Sequence, residues 1–185
     1  PFKAGDGRTG DIIKTVIFGM NLSNTVLGAR DGQVTQRVKT LYSMLKKAKM
    51  NPQIIPNIIP YVRTHYVWAA CCVAAYIKAG TYDNFKKSDA IKESYLAMKE
   101  GWKICMKQGI NPRKVAPTKH FYLPFFLLIP FTRWLYNQRG MREMFEGHVQ
   151  HSPKEMEDMY FTLLVQGKKY GIKMPVYEGY QEYVS

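Results

Sequence analysis

The segment from Ile58 to Ala79 constrains this chain more than any other. It is apolar almost all the way round a helix and stops at Gly80. A helix with no polar face belongs at the centre of a bundle, because any side left in water would expose apolar surface. Other helices must therefore surround it, and the spacing downstream predicts them. Ser88 to Lys107 carries Ile91, Tyr95, Met98, Trp102 and Cys105 on one face, with Gly109 as its stop. Asn111-Pro112 breaks the chain. Residues 119 to 136 are aromatic and interrupted by Pro124 and Pro130, which predicts one kinked helix or two short ones. A short helix is expected over 141 to 149, a long one over 153 to 170, and a terminal turn or helix over 176 to 183.

The first third reads differently. Residues 1 to 10 are polar and glycine-rich, which suggests a loop. Ile12 to Phe18 and Asn24 to Leu27 are β-branched stretches on either side of Gly19 and read as two strands. Gly28-Ala29-Arg30-Asp31-Gly32 reads as a turn. Val34, Val38, Leu41, Leu45 and Ala48 recur at helical spacing, so residues 34 to 48 form an amphipathic helix. Pro52, Pro56 and Pro60 mark an extended connector. The expected fold class is mainly α. A small α+β head of two strands and a helix, residues 1–55, precedes an all-helical body, residues 56–185.

With 185 residues, 46% of them hydrophobic, the chain can bury a proper core. Its net charge of +13 points to anionic partners, against the alternative of a solvated lysine-rich surface. Lys46, Lys47 and Lys49 are the densest run and sit at a helix end, where cations suit the dipole. No stripe alternating arginine with aromatic residues resembles a nucleic-acid platform, so no nucleic-acid partner is expected. Three cysteines, two of them vicinal (Cys71, Cys72 and Cys105), argue against a disulfide scaffold and for a reducing, cytoplasmic setting. Their apolar neighbours predict buried thiols. His148 and His151 lack further ligands at metal-binding distance, so no metal is expected. The longest apolar runs, Tyr66 to Ile77 and Phe121 to Phe131, are shorter than the roughly 20 residues of a membrane span, and no membrane partner is expected. The first residues, Pro-Phe-Lys, read as starting within a longer polypeptide.

Several stretches, in order, resemble the ketopantoate reductase (2-dehydropantoate 2-reductase) family. Val26 to Gly32 followed by a helix looks like the last strand, turn and helix of that family's nucleotide domain. Asn57 to His65 looks like the start of its catalytic helix. Ile110-Asn111-Pro112-Arg113-Lys114 and Leu123-Pro124 look like a connector of one branch. Glu155, twenty residues before Pro175 with Gly171-Ile172 between, looks like the acidic residue of its last long helix. The likeness covers nearly the whole chain. It implies the end of a Rossmann domain joined to a helical domain like the C-terminal domain of 6-phosphogluconate dehydrogenase.

It also implies an NADP-dependent reductase acting on a 2-oxo acid in pantothenate biosynthesis; separately, aromatic and small residues alternate on the 58–79 helix, which offers a seam for a homodimer through the helical domain. The family's proton-donating lysine falls on Arg63, Thr64 or His65, with Arg63 favoured, and its substrate-binding glutamate on Glu155. Arg63, with His65 as the alternative, would polarise the oxo group, and Glu155 would orient the substrate. Each has a plainer reading. Arg63 suits a helix-start surface cation, His65 a hydrogen-bonded core residue, and Glu155 the third helical position of a capping box opened by Ser152. The nucleotide fingerprint, G-x-G-x-x-G after a strand, is not in this sequence, so most of an NADP site would lie outside it and the chain alone would be inactive. The alternatives are a non-catalytic basic helical binding module and a family member that has lost catalysis.

Overall fold

The computed structural model describes the backbone of residues 2–9 and 12–18 and the chain from 25 to 184. It is mainly helical. The apolar segment forms α2 (Ile58–Ala79), closed by Gly80 in the left-handed conformation at φ 71°. Around it lie α3 (Tyr82–Phe85), α4 (Ser88–Lys107), α5 (Phe125–Tyr136), α6 (Met141–His151), α7 (Pro153–Lys169), α8 (Pro175–Glu178) and α9 (Gln181–Val184). Two turns of 3-10 helix, Pro112–Lys114 and Thr118–Tyr122, lead from α4 to α5. α5 carries Pro130 within it. Among the described residues no helix is long and apolar enough to cross a membrane.

The face expected on α4 is the one that is buried: Ile91, Tyr95, Met98, Trp102 and Cys105 all lie in the core. Gly101 sits on the same side. A Cβ there would meet a methyl of Val67 on α2 at 2.6 Å, so the missing side chain lets α2 and α4 approach closely. Trp102 is fully buried, stacks on Phe121 at 5.9 Å, and donates its indole N–H to the Thr64 carbonyl at 3.1 Å. A second aromatic cluster joins α2, α3, α5 and α6 through Tyr76, Tyr82, Phe85, Tyr136 and Phe145. Tyr82 ties it to α5 by a 2.6 Å bond to the Tyr136 carbonyl.

Buried Glu100 fixes the C-terminal end. Its carboxylate accepts from the Val176 and Tyr177 amides, 3.2 and 3.1 Å away, at the start of α8. These are the free N–H groups of a helix start, and a carboxylate suits them. Glu100→Ala is expected to cost about 1–3 kcal/mol, since it strands buried donors. Hydrogen exchange should show the Val176 and Tyr177 amides losing protection while α2 keeps it.

In the first third, β2 (Ile12–Phe18) and β3 (Thr25–Leu27) match the two expected strands, while Gly19 and Asn24 lie outside the described residues. Two expectations are corrected. Residues 2–9 are not a loop but a strand, β1 (Phe2–Thr9), antiparallel to β2 with an irregularity between Ala4 and Asp6. β2 is the strong β-former, and its free edge templates a partner whose own propensity is poor. Pro52–Ile54 is not a bare connector but β4, parallel to β3 with Val26 opposite Gln53. Pro52 opens the strand, where its missing N–H does no harm. Among the described residues the first third thus has four strands, in two separate two-stranded sheets, rather than two.

Between β3 and β4 runs α1 (Gln36–Lys47), capped by the Thr35 hydroxyl on the Val38 amide. Its apolar stripe is not buried among the described residues, and Leu41 and Met44 are exposed.

A cleft with two arginines

Gly28 follows β3 where only glycine fits. A Cβ would lie 2.3 Å from the Ile55 carbonyl oxygen and 2.7 Å from the Ile58 Cβ. This close approach, with the Ile55 amide bonded to the Leu27 carbonyl at 2.8 Å, brings the chain against the first turn of α2. The turn closed by the Gly32 amide on the Ala29 carbonyl then sets Arg30 beside α2. Arg30 and Arg63 both line a cleft of about 580 Å³ bounded by α2, α4 and α7. Its apolar floor is Val67, Ile104, Cys105 and Leu163, and its polar groups include Gln108, Thr162 and Gln166. Among the described residues the lining contains no carboxylate.

Tyr66 also lines the cleft, with its hydroxyl 3.4 Å from the Met159 carbonyl. Burial raises its pKa, and the Thr162 hydroxyl pulls only part of the way back. Tyr66 therefore stays protonated at neutral pH, its one proton donated to the Met159 carbonyl. The Cys105 thiol is pushed up to about 11 by burial, against the opposing pull of the Arg63 charge. It is an inert part of the floor at neutral pH. Cys71 and Cys72 are buried with pKa values raised by burial, as their neighbours predicted. Among the described residues no three His, Cys, Asp or Glu converge to hold a metal; the side chains of His148 and His151 are not described.

The four residues singled out from sequence are not brought together. Of them, Arg63 alone lines the cleft. Thr64 is buried against α4, its hydroxyl donating to the Pro60 carbonyl at 2.9 Å and its own carbonyl holding Trp102. That makes it a structural residue, since its hydroxyl is already used within α2. His65 stacks on Tyr61 at 5.6 Å and leans on Trp68 at 5.2 Å, about 200° round the helix from Arg63. Glu155 is exposed on the first turn of α7, seven residues and roughly 10 Å of helix from Thr162. The expected capping box is not formed either, because the Ser152 side chain makes no capping bond.

Sequence reasoning missed Arg30, Tyr66, Gln108, Thr162 and Gln166. Thr162 and Gln166 share a face of α7 at i, i+4, and that spacing was a usable signal. Arg30 carried no such signal, because only the Gly28 approach brings it to the cleft.

Burial lowers the pKa of His65 from its ordinary 6.5. A depressed histidine is stable neutral, so its contribution is intact above about pH 6.5. It is lost as the pH falls toward the folded-state value. His65→Phe, which keeps a ring between Tyr61 and Trp68, should flatten the fall in melting temperature between pH 7 and pH 5.

Comparisons with family models, with curated proteins and with solved structures gave no match.

Proposed function

We propose that the cleft binds a small organic acid whose carboxylate meets Arg30 and Arg63 and whose apolar body lies on the Val67–Leu163 floor. The observation that carries this reading is the convergence of two arginines from separate segments on one cleft with no carboxylate among its described lining residues. Arginine presents a planar fork that matches a carboxylate, and two of them exclude cations and neutral ligands by charge. Tyr66, Gln108, Thr162 and Gln166 offer hydrogen bonds to an oxo or hydroxyl group on the same ligand. A 2-oxo acid has both parts.

A broader reading follows from the sequence resemblance. In it, the chain is the substrate side of an NADP-dependent 2-oxo-acid reductase, with a helical body of the 6-phosphogluconate dehydrogenase C-terminal type. Arg63 would stabilise charge on the substrate oxygen. The residues at hand do not fit the cofactor. The turn before α1 has no G-x-G-x-x-G, and the Thr35 hydroxyl already serves the first amides of that helix. No hydride step is therefore assigned to this chain. Without it, the binding reading stands on its own.

Amide chemical shifts tell where a ligand sits. On titration with a branched 2-oxo acid such as ketopantoate, the shifts of Arg30, Arg63, Gln108 and Gln166 should move together while Glu155 stays still. Movement confined to Glu155 and the first turn of α7 would transfer the site there.

A further inference from the structure

α5 is apolar on both sides. Its inner face, Leu128, Thr132 and Tyr136, is buried. Its outer face carries Phe126, Leu127, Phe131 and Trp134, all more than half exposed, with Leu123 just before the helix. Phe126 is 75% exposed. Leu123, Leu127 and Phe131 fall at i, i+4 and i+8, with Phe126 and Trp134 at i+3 and i+11, and make one continuous stripe. Isolated exposed apolar residues are ordinary, but a stripe of large aromatic and aliphatic side chains along one helix marks a contact surface.

The charge around the stripe is one-sided. From Gly101 to Arg142 the chain has eight lysines and arginines and no aspartate or glutamate. Arg133 lies within α5, and Arg113, Lys114, Lys119 and Arg139 are exposed on the turns to either side. α4 packs beside α5, and Lys99 lies along the seam with its ammonium 4.5 Å over the Phe125 ring. Lys92 and Lys103 continue the same exposed α4 face at i−7 and i+4. Near the far end, Asp83 and Glu146 are paired with Arg142 and Lys86, and Glu143 on the first turn of α6 is exposed.

We infer that this face docks on an anionic lipid surface, with Phe126, Leu127, Phe131 and Trp134 entering the interface and the flanking cations meeting the headgroups. Phenylalanine, leucine and tryptophan beside lysine and arginine are the composition of helices that lie in a bilayer interface, and each basic side chain near such a surface adds attraction. A second copy would bring the same cations against one another, so charge disfavours self-association through this face. Run length, from which no membrane partner was expected, tests only for spanning helices. The inference is independent of the cleft.

The test is vesicle co-sedimentation of the intact chain with neutral phosphatidylcholine vesicles and with vesicles containing phosphatidylglycerol, with sedimentation velocity run alongside. The expected result is binding to the anionic vesicles at least tenfold stronger than to the neutral ones, weakened by salt. Phe126→Asp and Lys99→Glu should each reduce it about tenfold without changing the far-ultraviolet circular dichroism. Brominated lipid should quench tryptophan emission in the wild type and less in Trp134→Phe. Failure to bind anionic vesicles overturns the inference, as does equal binding to both lipids. A lipid-independent dimer that Phe126→Asp dissolves also overturns it and makes the face a self-interface. So does binding only to an acidic polypeptide.

Discussion

Replacing Trp102 with alanine is expected to destabilise the protein by about 3–5 kcal/mol, the range for losing a large aromatic from a core. Three consequences of the packing put it there. The ring is fully buried between α2 and α4. It supports the connector through its contacts with Phe121 and Tyr122, at 5.9 and 5.5 Å. Its N–H holds the Thr64 carbonyl, one position from Arg63. For a chain of this length the loss corresponds to a fall of roughly 6–20 °C in melting temperature. Trp102→Phe keeps a ring but no donor, and should recover more than half of that loss. Equal losses in both variants would mean that the hydrogen bond, rather than the ring, carries the effect.

Arg63→Glu is expected to abolish measurable binding of a 2-oxo acid while leaving the fold intact. Arg63 is exposed, so removing it costs the core nothing. Losing a charge-assisted bond costs about 1.5–3 kcal/mol. That is roughly tenfold or more in affinity, and a carboxylate in its place adds repulsion. Arg30→Ala should weaken binding by less, and the double variant should show whether the two guanidinium groups act on one carboxylate. Non-additive losses would place them on the same group. Thermal unfolding of Arg63→Glu should match the wild type, which separates a binding effect from a folding one.

Much of the helical body could be read from sequence because its signals are local. The bounds of α2 follow from an apolar run ended by a glycine, and those of α4 from a five-residue apolar face. The head was harder to read. β1 is held by β2 and by α6 packed against it rather than by its own propensity, and β4 is three residues long and begins with proline. The short α3 also escaped, since Tyr82 and Phe85 reveal their place only through the aromatic cluster they complete.

The site was legible only in part. Arg63 could be singled out, but three adjacent positions on a helix face three directions, and spacing alone could not tell that Thr64 and His65 were committed elsewhere. Glu155 and Arg63 looked like partners because each opens a helix. The packing of α7 on α2 brings Thr162 and Gln166 to the cleft instead.

The most direct test of the account is a calorimetric titration of the chain with a branched 2-oxo acid and, separately, with its methyl ester. The two differ in the charge that Arg30 and Arg63 are held to recognise. Binding of the acid, at least tenfold stronger than of the ester and lost in Arg63→Glu, is the predicted result. Equal affinity for acid and ester, or acid binding that survives Arg63→Glu unchanged, would contradict it.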